Sequence, residues 1–145
     1  MGIAPEGVRA RLAAAFGCDP EEMALTRNTT EGIETVLLGL RWTAGDEVVT
    51  TTQDYWRFQN TLRQRADRDG IVVRQISLPV PAESADEMVA RFAAAITPRT
   101  RAILLSQVIN LTGQFLPVRE IVQLARARGV LVVVDGAHGF AHVPF

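Results

Sequence analysis

The stretch Val132-Val133-Val134-Asp135-Gly136-Ala137-His138-Gly139 decides the fold of this chain. Three β-branched aliphatic residues lead directly to a carboxylate, and a turn that contains two glycines follows. Such a run is typical of a central strand in a parallel sheet, which is buried on both faces. In open α/β sheets, ligands bind beyond the carboxyl ends of the strands. Asp135 is therefore a charged group at a predicted ligand-binding edge.

Asp135 has two interpretations from its residue type. A strand-end aspartate commonly accepts hydrogen bonds from the amides of a turn. Alternatively, the carboxylate is the counter-ion of a cationic ring nitrogen in a cofactor, because a buried charge requires a partner.

Helix and strand patterns alternate along the chain. Apolar residues at helical spacing predict helices over 4–16, 85–96 and 118–128, and another that carries Ile33, Val36, Leu37 and Leu40. Short apolar or β-branched runs predict strands at 23–26, 48–51, 71–76 and 101–106. The alternation predicts an α/β fold with a doubly wound, mainly parallel sheet and helices on both faces.

The composition disfavours several classes of function. The 145 residues carry 15 basic and 16 acidic side chains, so no basic surface is expected to bind nucleic acid. No apolar run is long enough to span a membrane, and no signal-peptide pattern opens the chain. The single cysteine, Cys18, is interpreted as an inert thiol, and these features together favour a cytoplasmic protein.

All 15 basic residues are arginines, and the chain contains no lysine. Arginine cannot replace lysine as a nucleophilic amine, because its guanidinium group stays protonated. Chemistry that needs a lysine amine therefore cannot be completed by these residues.

Polar or aromatic residues follow other predicted strands. The stretch Asn28-Thr29-Thr30 opens a helix, where free amides and hydroxyl groups either bind an anion or form an ordinary cap. Tyr55 follows a strand and either stacks on a planar ligand or packs in a helix. Packing is the role that we assign to Trp56 and Phe58.

Asn110 lies in a loop over 107–117, where it either shapes the loop or donates a hydrogen bond to a ligand. The carboxyl ends of parallel strands share one edge, so these groups are expected to converge with Asp135 and His138. Together they offer an anion site, a stacking ring, a hydrogen-bond donor and a carboxylate. Pyridoxal 5′-phosphate has a matching phosphate, flat ring, phenolic oxygen and ring nitrogen.

Three motifs together resemble the class V aminotransferase family of fold type I pyridoxal-phosphate enzymes. They are Thr26-Arg27-Asn28-Thr29-Thr30-Glu31-Gly32, Ser106-Gln107-Val108-Ile109-Asn110-Leu111-Thr112-Gly113 and Val134-Asp135-Gly136-Ala137-His138. The resemblance covers nearly the whole chain. The histidine at 138 is similar to the isopenicillin N epimerase-like branch, and Tyr55 stands where cysteine desulfurases have a ring-stacking histidine.

The resemblance implies roles toward the cofactor for six residues. Thr29 and Thr30 are expected to hold the phosphate, Tyr55 to stack on the ring, and Asn110 to reach the phenolic oxygen. Asp135 is expected to pair with the pyridine nitrogen. His138 is expected near either the aldimine or the phenolic oxygen of the cofactor.

The resemblance also implies what this chain does not carry. The Schiff-base lysine of the family is expected beyond Phe145, so no catalytic residue is assigned here, and no metal site is predicted. Residues 1–145 are expected to be part of a large cofactor-binding domain, without the small C-terminal domain.

The function implied by the resemblance is part of a pyridoxal-phosphate-dependent enzyme that acts on an amino acid, as an aminotransferase, epimerase or lyase. The whole enzyme is expected to be a homodimer. The alternative is a non-catalytic, lysine-free module that binds a phosphorylated ligand or a partner chain. A nucleotide is disfavoured as that ligand, because neither G-x-G-x-x-G nor G-x-x-x-x-G-K follows a strand.

Overall fold

A computed structural model describes residues 5–81, 84–140 and 142. Within these residues the helices are α1 (Pro5–Phe16), α2 (Thr29–Gly39), α3 (Trp56–Asp69), α4 (Ala85–Ala95) and α5 (Val118–Arg126). The strands are β1 (Glu47–Thr51), β2 (Val72–Ile76), β3 (Thr100–Ser106) and β4 (Leu131–Asp135).

The four strands form one parallel sheet in the order β2-β1-β3-β4. This arrangement confirms the predicted doubly wound α/β class. The chain leaves β1 toward β2 on one side and later returns to place β3 on the other side. The direction of winding therefore reverses between β1 and β3, and such a reversal opens a crevice beyond the carboxyl ends of the strands.

Alternate side chains of the strands pack against helices on opposite faces of the sheet, as the two-residue period of a strand requires. On one face, Val49, Ile103 and Leu105 pack in a cluster with residues of α4 and α5. On the other face, Val48 and Leu104 pack with residues of α2 and α3. The two layers place α4 and α5 on one face of the sheet and α2 and α3 on the other.

The structure corrects three predictions. In this sheet β4 is an edge strand and not a central one, and Leu131 is 47% exposed. A β-branched run is compatible with either position, because packing on one face already favours it. Residues 23–26 form no strand, and their end is bonded locally, with the Thr26 hydroxyl donating to the Asn28 carbonyl at 3.0 Å. Trp56 is 55% exposed, whereas Phe58 is buried as predicted.

Candidate functional site

A cavity of about 290 Å³ opens at the carboxyl edge of the sheet. Six residues that the sequence singled out line it together: Thr29, Thr30, Tyr55, Asn110, Asp135 and His138. They come from the start of α2, the turn after β1, the loop after β3 and the end of β4. The prediction that these residues converge on one edge is confirmed, while their binding to a cofactor stays a prediction.

Asp135 is the last residue of β4 and is only 7% exposed. Its Oδ1 accepts a hydrogen bond from the Ala137 amide at 3.0 Å, so the carboxylate does serve the turn that follows. Among the residues that the structure describes, its Oδ2 makes no hydrogen bond. One oxygen of a buried carboxylate at the cavity wall thus remains available to a ligand.

The turn after β4 lies close against the loop after β3. A Cβ atom added to Gly139 would overlap the end of the Gln107 side chain, which would have to move aside. The Gln107 amide also donates to the Asp135 carbonyl at 2.9 Å. These contacts fix the end of β4, and with it the Asp135 carboxylate, relative to β3.

The start of α2 contributes Thr29 and Thr30 to the cavity wall. Asn28 caps the helix by accepting a hydrogen bond from the Glu31 amide at 2.9 Å. Thr29 and Thr30 are the first two helical residues, whose N–H groups have no partner inside a helix. Free amides and the helix dipole both favour an anion at this position.

Glu31 places a negative charge in the first turn of α2, but Arg27 offsets it. The Arg27 amide donates to Glu31 Oε2 at 2.7 Å, and the Arg27 guanidinium forms an ion pair with the same oxygen at 3.3 Å. The backbone hydrogen bond, followed by the side-chain one, holds the pKa of Glu31 below its usual value. The lowered pKa keeps Glu31 charged, and its ion pair with Arg27 offsets part of that charge.

Tyr55, the residue before α3, packs against a neighbouring ring and also lines the cavity. Its ring lines the cavity, and it also packs edge-on against Phe58, with the ring centroids 5.3 Å apart and the planes at 74°. The Tyr55 hydroxyl oxygen accepts a hydrogen bond from Arg57 Nε at 3.3 Å. Packing thus orients the ring without removing it from the cavity.

Asn110 and His138 are exposed residues that line the same cavity. The loop that carries Asn110 is closed by amide-to-carbonyl hydrogen bonds from Ile109 to Gln114 and from Leu116 to Gln107, both at 3.0 Å. These bonds hold the loop without using the Asn110 side chain. The side chain is therefore available to a ligand.

Four further lining residues received no site role from the sequence: Phe58, Ser106, Val108 and Ala137. Asn28 also lines the cavity, and the sequence placed it only in the anion-binding or capping stretch. Ser106 could have been found, because it is the first polar residue after the apolar run of β3, as Asp135 is after β4. Phe58 carries no such pattern, since helical spacing alone indicates packing.

The model of the family described as Aminotransferase class-V matches residues 2–145. An isopenicillin N epimerase from Amycolatopsis lactamdurans is 39% identical over 132 residues, which cover 89% of this chain and 33% of that protein. A probable cysteine desulfurase from Pseudomonas aeruginosa is 34% identical over 144 residues, which cover 94% of this chain and 34% of that protein. The chain thus spans about a third of the length of these curated relatives.

Solved structures show the same fold. The cystine C-S lyase C-DES, in complex with its product cysteine persulfide, matches with a TM-score of 0.84 and 32% identity. The match covers 95% of this chain and 37% of that chain. A C-DES variant, solved with glycine covalently linked to its PLP cofactor, matches with the same TM-score and identity.

The described part of the chain lacks two other kinds of feature. None of its helices is both long and apolar enough to cross a bilayer. It also holds no group of three or more His, Cys, Asp or Glu residues placed to bind a metal ion.

Proposed function

Because this chain belongs to the class-V aminotransferase family, we propose that it is the cofactor-binding part of an enzyme that uses pyridoxal 5′-phosphate on an amino acid. The observation that carries the proposal is a single cavity with a buried carboxylate and a helix N-terminus in its walls. Transamination, epimerisation and C–S bond cleavage are all compatible with it. When bound, the cofactor supplies an electron sink for the α-carbon of the substrate.

The residues in the cavity fit this cofactor. Asp135 keeps one carboxylate oxygen without a hydrogen bond among the described residues, and the carboxylate is buried. Placed beside a pyridine nitrogen, such a carboxylate favours the protonated ring, because an opposite charge stabilises the charged form. Asp135 would therefore favour a proton on the ring nitrogen of the bound cofactor.

The phosphate is assigned to the start of α2. There the amides of Thr29 and Thr30 point out of the helix, and the two hydroxyl groups add donors. Tyr55 covers one face of the ring, and its own packing on Phe58 keeps it in place. Asn110 and His138, from the loops after β3 and β4, are assigned to the phenolic oxygen.

The partners and location of the whole enzyme are part of the proposal. We assign it an amino acid as substrate, a homodimeric state and a cytoplasmic location. Light scattering on the complete enzyme decides its oligomeric state, and a monomer at working concentration would contradict the dimer.

Calorimetric titration of the chain with pyridoxal 5′-phosphate, and separately with ATP, tests the function. We expect the pyridoxal compound to bind more tightly. Replacing Asp135 by Asn keeps an oxygen for the Ala137 amide but removes the charge. It is expected to weaken binding roughly tenfold or more, as for loss of a charged hydrogen bond.

The matched control is Asp46→Asn, which removes a carboxylate that accepts a hydrogen bond from Thr43 outside the cavity. This variant is expected to bind like the unchanged chain. Tighter binding of ATP would favour the alternative, a module that holds a phosphorylated ligand without covalent chemistry. Equal losses of affinity in Asp135→Asn and Asp46→Asn would show that Asp135 has no specific role in binding the cofactor.

A further inference from the structure

A second carboxylate, that of Asp54, lies behind the cavity wall and is almost completely buried, at 3% exposure. Its Oδ2 accepts hydrogen bonds from the Thr50 hydroxyl at 2.8 Å and the Thr51 amide at 2.7 Å. Its Oδ1 accepts one from the Ser106 amide at 2.7 Å. Hydrogen bonds to a charged acceptor are short and strong, and these three stabilise the carboxylate in the interior.

No arginine or histidine in the described ranges forms an ion pair with Asp54. The carboxylate is thus held by neutral donors alone. A buried charge of this kind is costly unless its donors are fixed, so its retention here points to a specific positioning task.

The place of Asp54 in the sheet defines that task. The paired register of β1 and β3 ends at Val49 and Ile103, although both strands run on, to Thr51 and Ser106. Beyond that point the Asp54 carboxylate joins the two strands, because it binds an amide from each. Asp54 therefore links β1 to β3, the two strands between which the direction of winding reverses and the cavity opens.

Two residues of the cavity wall depend on this bridge. Ser106 lines the cavity and donates its own amide to Asp54. Tyr55 is the next residue in the chain, and the turn before it is also held by Gln59, whose Nε2 donates to the Asp54 carbonyl at 2.8 Å. The carboxylate and Gln59 together fix the backbone from which the Tyr55 ring projects.

We propose that Asp54 is a positioning residue of this site, whose carboxylate joins the ends of β1 and β3 and so sets the Tyr55 ring and Ser106 at the cavity. That the ligand at this site is pyridoxal 5′-phosphate rests on the proposed function, whereas the placement of the Tyr55 ring does not. Asp54 itself does not line the cavity and is not assigned a contact with the cofactor.

The variant Asp54→Asn isolates the carboxylate. The Thr51 and Ser106 amides bind different oxygens, and an amide side chain offers only one oxygen. One of the two backbone N–H groups is therefore left facing an NH₂ group. Since the chain has a single tyrosine, incorporation of 3-fluorotyrosine gives one ¹⁹F resonance that reports Tyr55 directly.

The matched control is Glu47→Gln. Glu47 is a buried carboxylate at the opposite end of β1, where Thr97 Oγ1 donates to it at 2.6 Å and Arg74 Nη1 at 3.3 Å. Its loss removes partly buried hydrogen bonds to Thr97 and Arg74 without touching the cavity. A merely structural effect of a lost carboxylate would appear in both variants.

In the chain without ligand, we expect Asp54→Asn to broaden the Tyr55 resonance or move it toward its position in urea, and Glu47→Gln to leave it unchanged. With pyridoxal 5′-phosphate, we expect a loss of affinity of roughly fivefold or more in Asp54→Asn alone. If Asp54→Asn does not fold, Thr50→Val, which removes one donor, is expected to give a smaller effect of the same kind.

An unchanged resonance in a folded Asp54→Asn variant overturns the proposal, as does an equal change in Glu47→Gln. An unchanged resonance in Thr50→Val overturns it if the stronger variant does not fold. A chain that binds no pyridoxal 5′-phosphate but shows the expected resonances overturns the proposed function and supports the positioning role of Asp54.

Discussion

Two buried carboxylates at the same sheet edge, those of Asp135 and Asp54, differ in how far their oxygens are used. Both oxygens of Asp54 accept hydrogen bonds from the strands, whereas only one oxygen of Asp135 does so among the described residues. A saturated carboxylate organises the backbone around it. A carboxylate at a cavity wall with one oxygen free of hydrogen bonds, such as Asp135, favours a ligand that supplies the missing partner, because burial of a charge without a partner is unfavourable.

Substitution of Tyr55 separates ring stacking from hydrogen bonding. Tyr55→Ala is expected to weaken binding of pyridoxal 5′-phosphate roughly two- to tenfold, in line with about 0.5–1.5 kcal/mol for an aromatic pair. Tyr55→Phe keeps the ring and loses only the oxygen that accepts from Arg57, so we expect nearly unchanged affinity. Calorimetric titration measures both. Equal losses in the two variants would show that the hydroxyl group and not the ring contributes.

At this scale, sequence could predict Asp135, the first charged residue after an apolar strand run, and Tyr55, the first aromatic residue after β1. It could not predict Asp54. One donor to the Asp54 carboxylate is the Ser106 amide, 52 positions away in sequence. Because nearly every residue has a backbone amide, the residue type does not indicate which one binds a carboxylate. Only the strand order, which places β1 beside β3, brings the two together.

Among the elements, α2 contributes most to the site, because its N-terminus faces the cavity. The cap Asn28→Ala is expected to cost about 1 kcal/mol of the free energy of unfolding, and to weaken the binding of pyridoxal 5′-phosphate by loosening the first turn. Urea unfolding and calorimetric titration measure the two effects.

The control for this prediction is Ser84→Ala, which removes the cap of α4. Its side chain accepts from the Glu87 amide in the same way, and it does not line the cavity. A similar loss of stability with unchanged binding is expected. If Ser84→Ala weakened binding as much as Asn28→Ala does, the effect would be one of global stability.

Most helices and strands could be predicted from sequence because their patterns are local. The predictions were wrong where the outcome depends on which strands pair in the sheet. The aliphatic run of β4 indicates a strand, but its place at the edge of the sheet depends on which segments pair with it. The run at 23–26 has strand-like residues, yet it makes no ladder with the other strands. Pairing, unlike periodicity, is a property of the assembled sheet.

For the molecule as a whole, the absence of lysine makes a chemical prediction. Treatment of the chain with pyridoxal 5′-phosphate and then borohydride is expected to leave no pyridoxyl group on any side chain, since none carries a primary amine. Mass spectrometry of the digest maps any product. A lysine-containing protein treated in parallel is the control, and a modified internal residue in this chain would contradict the prediction.

The all-parallel sheet also governs how the chain reaches this structure. Each strand pair joins segments that are far apart in sequence, as the separation of 52 positions between Asp54 and Ser106 illustrates. Chain entropy must be lost before any such pair contributes, so parallel sheets fold slowly. During that time the aliphatic β4 run is open to pairing with other chains, which makes rapid dilution and low protein concentration the conditions that favour recovery from denaturant.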